Sequence, residues 1–244
     1  MKFSIVVPIY NEKATAAILL DRVLAAPLPE GLEREVIIVE GNSDDGTKDV
    51  VKGYEGRTGV RVIYESAPRG KGAAVRAGLA QVTGDIVLIQ DGDLEYDVND
   101  YPKLLKPLLA GEADIVFGSR AMEHAQRWQY RQFKGTVERL YGLVVNWGGL
   151  AYTILFNVLY GVSLSDGATM FKLFKAADLK SITLKSDGFD YDWEIAGKLA
   201  KKGRKIVEVP VAYKARSRAE GKKIRFWRDG WRVLVAILRY RVSD

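Results

Sequence analysis

The chain has 244 residues, and its composition, 48% hydrophobic and 28% charged, is that of a folded globular protein with one large or two small domains. It has no cysteine and a single histidine, His124, which excludes disulfides, thiolate zinc sites and a cysteine nucleophile and argues against histidine-based metal sites or triads. Carboxylates and cations must therefore carry any catalysis.

The positive charge is concentrated at one end of the chain. The net charge is +6, but residues 201–244 hold 14 Lys and Arg against 4 Asp and Glu, a local charge of +10 that leaves −4 for residues 1–200. Such a segment indicates an anionic partner, which composition leaves open as nucleic acid, an anionic membrane surface or a phosphorylated substrate.

The first 118 residues alternate short apolar runs with segments of helical length, a pattern typical of a parallel α/β sheet. The N-terminal apolar run is short and contains Pro8, so we interpret it as a strand and not as a signal peptide. Strands are predicted at residues 3–7, 36–39, 60–64, 86–89 and 115–117. Helices are predicted at 14–26, 47–54, 72–81 and 101–109, with Asp45 and Asp100 near helix N-caps.

Three carboxylates, Asp91, Asp93 and Glu95, follow the apolar run at 86–89. That run predicts a strand buried on both faces, and in open parallel sheets ligands bind beyond the carboxyl ends of such strands. Closely spaced hard oxygen donors suit Mg²⁺ or Mn²⁺ together with phosphate ligands. Asp and Gly also fill turns after strands, so the pattern alone leaves an ordinary turn as the alternative.

Residues 69–72 place two glycines and Lys71 in front of a predicted helix. Backbone N–H groups and Lys71 would there face an anion, whereas a flexible turn and helix cap is the alternative. The sequence has neither Gly-x-Gly-x-x-Gly after the first strand nor Gly-x4-Gly-Lys-Ser/Thr, which argues against a dinucleotide-binding dehydrogenase and a P-loop enzyme.

Two later segments are apolar or amphipathic. Residues 140–165 carry no charge and are long enough to cross a bilayer core of about 30 Å. The Gly148-Gly149 pair predicts a break into two shorter helices, buried in protein or lying in the membrane interface, with a plain core helix as the alternative. Residues 222–241 predict a basic amphipathic helix in the membrane plane, with a surface helix packed on its own domain as the alternative.

Five motifs occur in the order and spacing of the family 2 glycosyltransferases: IVVPIYNE at 5–12, VEGNSDDGT at 39–47, RGKGAAVRAG at 69–78, QDGDLE at 90–95 and GSR at 118–120. The motifs VPVAY at 209–213 and RSRAEGK at 216–222 more narrowly resemble the dolichol-phosphate (polyprenyl-phosphate) mannose or glucose synthases. The resemblance implies an α/β GT-A fold, with a mostly parallel central sheet flanked by helices, and hexose transfer from a nucleotide sugar with inversion.

The resemblance also implies roles for individual residues. Nucleotide-sugar contacts fall on Pro8, Tyr10, Glu12, Glu40, Lys71 and Asp91. Mg²⁺ or Mn²⁺ is expected on Asp91, Asp93 and Glu95, with Asp93 also catalytic. Acceptor phosphate is expected on Arg120, Arg131 and Arg218, with Arg218 also catalytic and a surface salt bridge as the alternative for Arg131. The chain departs from the family at Glu40-Gly41, where relatives commonly carry two aspartates, and at Gly92, where they carry alanine.

The acceptor decides whether a general base is needed. A phosphomonoester is largely ionised at neutral pH and attacks unaided, whereas a hydroxyl must lose a proton to a carboxylate. Asp192 aligns with the acidic catalytic motif of members that glycosylate hydroxyls, and Asp166 is another carboxylate on the expected acceptor side. We include Asp192 among the catalytic residues with its role open.

The resulting hypothesis is a metal-dependent inverting transferase that moves mannose or glucose from GDP-mannose or UDP-glucose to a polyprenyl phosphate. It comprises a GT-A domain at 1–215, with an interfacial helical hairpin at 134–160, and a basic amphipathic segment at 216–244. We expect peripheral attachment to the cytoplasmic membrane face, directly or with a separate membrane-spanning partner, and no nucleic acid. The alternatives are transfer to a hydroxyl with Asp192 as base, and a degenerate transferase fold that binds nucleic acid or lipid.

Overall fold

The structure is a computed structural model that describes residues 1–122, 136–216 and 226–243. The strands are β1 (Lys2–Ile9), β2 (Glu33–Glu40), β3 (Val60–Tyr64), β4 (Ile86–Ile89), β5 (Ile115–Ser119), β6 (Lys172–Lys175) and β7 (Ile206–Pro210). The α-helices are α1 (Lys13–Ala25), α2 (Thr47–Lys52), α3 (Lys71–Leu79), α4 (Tyr101–Leu109), α5 (Thr136–Tyr160), α6 (Ala176–Lys180), α7 (Tyr191–Lys201) and α8 (Phe226–Val242).

A mostly parallel sheet organises the molecule. Its strand order is β3-β2-β1-β4-β6-β5-β7, and only β6 runs antiparallel to its neighbours within the described residues. The chain leaves β1 toward β2 and β3 and returns to β4 on the other side of β1, so the strand order reverses between β1 and β4. Such a switch point leaves a crevice beyond the carboxyl ends of the strands, where ligands bind. The expected α/β class is confirmed.

The antiparallel strand β6 brings further polar residues to the same edge. Its register pairs Ile89, the last residue of β4, with Lys172, the first residue of β6. The loop that leads into β6 and contains Asp166 therefore lies beside the carboxylates that follow β4. The sequence pattern did not predict β6, although the family resemblance placed Asp166 on the acceptor side of the site.

Apolar layers cover both faces of the sheet, and β1 shows why. Ile5 and Val7 pack into the layer that includes α1 and α4, while Val6 points to the layer that includes α3, α7 and α8. All three side chains are fully buried. Each such burial contributes about 1.5–3 kcal/mol, so the apolar runs fix the positions of the strands.

The two acidic residues predicted near helix N-caps act differently from simple caps. Asp45 lies one residue before the N-cap of α2, and its Oδ1 accepts a hydrogen bond from the Thr47 backbone N at 2.9 Å. Asp100 is the N-cap residue of α4, but its Oδ2 accepts from the Ala212 backbone N at 2.7 Å. Asp100 thus ties α4 to the segment after β7.

The predicted break in the uncharged segment is wrong, because α5 is one continuous helix through Gly148 and Gly149. A glycine inside a helix costs about 1 kcal/mol relative to alanine. Packing offsets that cost: Phe156 is fully buried, and Thr153, 2% exposed, donates its hydroxyl to the Gly149 carbonyl at 2.9 Å. The expected hairpin at 134–160 is therefore replaced by a single helix over its described residues.

Helices α5 and α8 pack against each other and leave apolar side chains on the surface. We call these the apolar stripes: Leu140, Leu143, Val144, Trp147, Ile154 and Val158 on α5, and Trp231, Val235, Leu238 and Val242 on α8. The segment Gly142–Tyr160 is also long and apolar enough to cross a membrane by length and composition, a test that buried core helices pass as well.

Candidate functional site

The candidate site lies at the switch point of the sheet. The β1 strand ends just before Tyr10 and Glu12, β2 ends at Glu40, and β4 leads into Asp91 and Asp93. Because parallel strands end at one edge, these residues of distant sequence position meet there. Ion pairs with Lys71 and Arg216 bring together the sequence-predicted residues Glu12, Lys71, Asp91, Asp93 and Glu95. The other predicted residues of this edge lie at the ends of β1 and β2: Pro8, Tyr10 and Glu40.

The loops that follow β1 and β2 are linked by hydrogen bonds. Glu40 is fully buried, and its carboxylate accepts backbone hydrogen bonds from Asn42 at 3.1 Å and Ser43 at 2.8 Å. Asn11 bonds Asp44 through its amide nitrogen at 2.8 Å. Glu40 therefore holds its own loop in shape, while Tyr10, 39% exposed, presents its ring at the surface.

Close packing around Gly41, the residue after Glu40, explains why a glycine occupies this position. A Cβ at Gly41 would lie 3.3 Å from the Ile9 carbonyl oxygen and 3.3 Å from the Tyr10 Cβ. That spacing is tighter than ordinary van der Waals contact, so an aspartate here would press on Tyr10. The departure at Glu40-Gly41 thus accompanies a close approach of the β1 and β2 loops.

Beyond β4, carboxylates converge on one arginine, Arg216. Its Nη2 lies 2.6 Å from Asp93 Oδ2, and its Nη1 lies 2.9 Å from Glu12 Oε2. Its backbone N donates to Glu95 Oε1 at 2.7 Å, and the Tyr213 hydroxyl donates to Glu95 Oε2 at 2.9 Å. The Arg216 side chain is 17% exposed, so the guanidinium fills the space among the carboxylates.

A second cation neutralises the remaining carboxylate of the group. Lys71 Nζ forms an ion pair with Asp91, and the two side chains are 15% and 13% exposed. Two backbone N–H groups in the first turn of α3 are already satisfied: Gly72 N and Ala73 N donate to the Asp187 carbonyl at 2.8 and 3.4 Å. The helix-cap interpretation of residues 69–72 is therefore favoured for the backbone, with Lys71 directed at the carboxylates.

Excess negative charge remains at Asp93. Burial, together with the charges of Asp91 and Glu95, raises the pKa of Asp93 to about 7 despite its contact with Arg216. A further cation beside Asp93 would therefore stabilise the ionised form of its carboxylate.

The carboxylates fit a divalent ion by their chemistry, because Asp91, Asp93 and Glu95 supply the hard oxygens that Mg²⁺ and Mn²⁺ prefer. In the part of the chain that the structure describes, however, no three acidic or histidine side chains stand in a metal-binding arrangement. Lys71 and Arg216 occupy the oxygens instead. Lys71 and Arg216 would therefore compete with a metal ion for these carboxylates.

Arg120, which the sequence predicts to bind acceptor phosphate, forms a buried ion pair with Asp166. Its Nε and Nη2 donate to Asp166 Oδ2 and Oδ1 at 2.7 and 2.8 Å, and its guanidinium lies 5.0 Å from the Tyr213 ring centre. Burial alone would raise the pKa of Asp166, but the Arg120 charge and hydrogen bonds outweigh it, so that pKa is lowered. Arg131 and Arg218 lie outside the described residues.

Asp192 lies in the first turn of α7, 2% exposed, and pairs with Lys172. Lys172 Nζ also donates to the carbonyls of Thr169 at 2.6 Å and Gly167 at 3.2 Å. Burial raises the pKa of Asp192 against the opposing charge of Lys172. A general base must reach the proton that it removes, and this arrangement favours a structural role for Asp192.

Comparison with known proteins decides the family. The model of the family described as glycosyl transferase family 2 matches residues 4–183. The chain belongs to glycosyl transferase family 2.

Relatives of this family 2 transferase have named activities. Glycosyltransferase AglJ of Haloferax volcanii is 29% identical over 236 residues, which cover 96% of this chain and 70% of AglJ. The dolichol-phosphate mannosyltransferase of Pyrococcus furiosus is 27% identical over 91% of this chain, which spans only 59% of that relative. The undecaprenyl-phosphate mannosyltransferase of Micrococcus luteus is 25% identical, covering 91% of this chain and 87% of the relative.

A solved structure supports the fold of this family 2 transferase. Glucosyl-3-phosphoglycerate synthase from Mycobacterium tuberculosis, in complex with Mn²⁺, UDP and phosphoglyceric acid, superposes with a TM-score of 0.69 at 22% identity. The match covers 100% of this chain and 79% of that structure. The expected GT-A fold is thereby confirmed, and the family model confirms the expected family and glycosyltransferase class.

The sequence motifs of this family 2 transferase did not single out Arg216, the residue at the centre of the site. It is placed by the segment after β7, which pairs Tyr213 with Tyr96 and donates from Lys214 N to the Glu95 carbonyl at 2.8 Å. The signal was present: Arg216 opens the basic motif that contains Arg218, and Tyr213 closes the motif before it.

Proposed function

We propose that this protein is a metal-dependent inverting transferase that moves a hexose from a nucleotide sugar to a polyprenyl phosphate. The observation that carries the proposal is the meeting of Asp91, Asp93 and Glu95 with Lys71 and Arg216 at the switch point of the sheet. The names of the Pyrococcus furiosus and Micrococcus luteus relatives support a polyprenyl-type lipid phosphate as acceptor.

The proposed chemistry explains the residue types. A nucleoside diphosphate leaves with at least two negative charges while the glycosidic carbon becomes cation-like, so negative charge must be neutralised at the leaving group. Lys71 and Arg216 carry positive charge at this edge, and Asp91, Asp93 and Glu95 would hold the metal ion. A bound Mg²⁺ or Mn²⁺ supplies Lewis-acid stabilisation of the leaving diphosphate.

A phosphate acceptor suits the environment of Asp192 better than a hydroxyl does. A phosphomonoester, with a second pKa of about 6, is largely ionised at neutral pH and needs no general base. Asp192 is buried on Lys172 and is poorly placed to take a proton from a hydroxyl. We therefore retain the lipid phosphate as acceptor, with attack from the face opposite the leaving group.

Contact with an anionic membrane is part of the proposal. The apolar stripes are joined on α8 by the exposed arginines Arg228, Arg232, Arg239 and Arg241. Apolar groups buried in the interface and cations near anionic headgroups both favour binding in the membrane plane. Helix α8 also packs beside the site: Tyr240 lies 3.2 Å from Ser186, whose neighbour Asp187 caps α3 next to Lys71.

Donor binding provides the first test. The unfolding temperature, measured with Mn²⁺ and either GDP-mannose or UDP-glucose, should rise with one donor, because a ligand present at 100 times its Kd stabilises the folded state by about 2.7 kcal/mol. In Asp93→Asn the metal-dependent part of this rise should disappear. A temperature that no nucleotide sugar raises in the presence of Mn²⁺ contradicts the proposed function.

A further inference from the structure

Arg216 occupies the centre of the acidic group with most of its hydrogen-bonding capacity engaged. The two terminal nitrogens contact Glu12 and Asp93, with the shortest distance 2.6 Å to Asp93 Oδ2. The backbone of the same segment is fastened to Glu95 through Arg216 N at 2.7 Å and Lys214 N at 2.8 Å. The side chain of Arg216 is thus fixed by its terminal nitrogens, and its main chain is fixed by hydrogen bonds to Glu95.

One donor of this guanidinium lacks a partner. Nε of Arg216 is buried without a hydrogen-bond acceptor and lies 4.0 Å from the nearest Glu95 carboxylate oxygen. A planar guanidinium is best satisfied by an acceptor that takes two parallel hydrogen bonds, as a phosphate does. A diphosphate would therefore accept hydrogen bonds from the Arg216 guanidinium more completely than the carboxylates do in this structure.

Arg216 and a divalent ion would compete for the negative charge of the same carboxylates. Mg²⁺ requires oxygen ligands at about 2.0–2.1 Å in a nearly regular octahedral shell. Asp93 Oδ2 is directed at Arg216 Nη2, and Asp91 is paired with Lys71. Lys71 and Arg216 thus neutralise part of the charge of four carboxylates, those of Glu12, Asp91, Asp93 and Glu95. A metal ion bound to these carboxylates would compete with the two cationic side chains.

We propose that Arg216 is an internal counter-ion that keeps metal affinity low until a nucleoside diphosphate arrives. The diphosphate draws the guanidinium away from Asp93 and Glu12, and the released carboxylates then bind the metal ion. Metal and nucleotide therefore bind with positive coupling, each raising the affinity for the other by the same factor. This inference rests on the proposed function, because it assigns the site to a nucleoside diphosphate and a divalent ion.

The test measures Mn²⁺ binding to the full chain with and without GDP or UDP. Electron paramagnetic resonance of free Mn²⁺ and calorimetry both report this binding. In the unaltered protein the nucleotide should raise Mn²⁺ affinity about tenfold or more, within the usual range of such coupling. Arg216→Gln removes the competing charge, so Mn²⁺ should bind about tenfold more tightly without nucleotide, and the coupling should shrink.

Two variants sharpen the comparison. Arg216→Lys keeps the charge, so its Mn²⁺ affinity without nucleotide should stay near that of the unaltered protein. Arg204→Gln, which removes a half-exposed arginine paired with Asp178, should leave Mn²⁺ binding unchanged. Thermal melts establish that each variant is folded, and Arg216→Lys carries the nucleotide-coupling test if Arg216→Gln does not fold.

Equal or weaker Mn²⁺ binding by folded Arg216→Gln overturns the counter-ion inference, as does nucleotide-independent Mn²⁺ affinity in the unaltered protein or in Arg216→Lys. These measurements involve no sugar transfer. Failure of the protein to glycosylate a lipid phosphate would overturn the proposed function while leaving a positive Mn²⁺ result for Arg216 standing.

Discussion

At the scale of single residues, the site is a balance of charges at one edge of the sheet. Asp93 is the most sensitive position, because it is 7% exposed and touches the cation Arg216, while burial together with the charges of Asp91 and Glu95 raises its pKa to about 7. A change there alters metal binding and the position of Arg216 together.

Replacing Asp93 by asparagine should lower the transfer rate by about 100-fold, a loss typical of removing one group that stabilises charge in a transition state. The fold should persist, because the amide keeps the shape of the side chain and relieves the repulsion from Asp91 and Glu95. Initial rates and thermal melts check both points. Asp49→Asn, at a 77% exposed carboxylate paired with Lys52, is the control and should change neither.

Replacing Asp166 by asparagine should lower the free energy of unfolding by about 3–5 kcal/mol, because it leaves the buried charge of Arg120 without its partner. Chemical denaturation measures this loss. Asp49→Asn again serves as the control, since an exposed ion pair contributes about 1 kcal/mol or less. A loss below about 1 kcal/mol for Asp166→Asn would show that the Arg120 pair does not hold this side of the site.

Glu35 should make stability depend on pH. Burial acts to raise the pKa of Glu35, but hydrogen bonds from Ser4 at 2.5 Å and Thr83 at 2.7 Å outweigh it, so the pKa is lowered. A lowered carboxylate pKa stabilises the fold above the unfolded value of about 4.3, and this stabilisation is lost as the pH falls further. Glu35→Gln should cost about 1–3 kcal/mol at pH 7.

Urea unfolding at several pH values checks the prediction for Glu35. The difference in unfolding free energy between the unaltered protein and Glu35→Gln should shrink as the pH drops below about 4. A difference that stays constant from pH 7 to pH 3 would mean that the Glu35 carboxylate contributes no ionisation-linked stability.

How much of the site the sequence could predict follows from sequence separation. Asp91, Asp93 and Glu95 follow one strand directly, so the pattern after β4 was sufficient to group them. Arg216 meets Asp93 across 123 positions through the pairing of two loops, which no local pattern encodes. Burial of Asp192 on Lys172 likewise depends on the antiparallel β6.

At the scale of elements, the first half of the chain was predictable because its strands are apolar runs between turns. The bounds of β3, β4 and α4 agree with the predicted ranges, and β1 and β2 extend beyond theirs. The strand β6 was not predicted, since Lys172 and Lys175 flank only two apolar residues and Lys172 is buried through pairing with Asp192. Glycines suggested a break in α5 that tertiary packing overrides.

The apolar stripes on α5 and α8 should control membrane binding. Exchanging Trp147 and Trp231, 57% and 66% exposed, for serine should weaken binding to vesicles containing anionic lipid by about tenfold or more, because each indole buries apolar area in the interface. Vesicle sedimentation measures the binding. Leu109→Ser, at a 39% exposed site on α4, is the control, and an equal loss there would argue against the stripes as the contact surface.

At the scale of the whole molecule, topology and charge distribution act together. The sheet order creates one crevice between β1 and β4, and the basic C-terminal region carries α8 to the same side as the loop at Ser186 and Asp187. A lipid phosphate held near the membrane surface would thus meet the Lys71 side of the crevice. The division into a GT-A domain at 1–215 and a basic segment at 216–244 remains a proposal within this picture.

The most direct test of the central claim is transfer of a radiolabelled hexose from GDP-mannose or UDP-glucose, with Mn²⁺, to a short polyprenyl phosphate, the matching polyprenol or a soluble glycan. We expect a chelator-sensitive, lipid-linked product with the polyprenyl phosphate alone, and its near loss in Asp93→Asn. Label on a hydroxyl acceptor, or no labelled product from the phosphate with either donor, would overturn the proposed function.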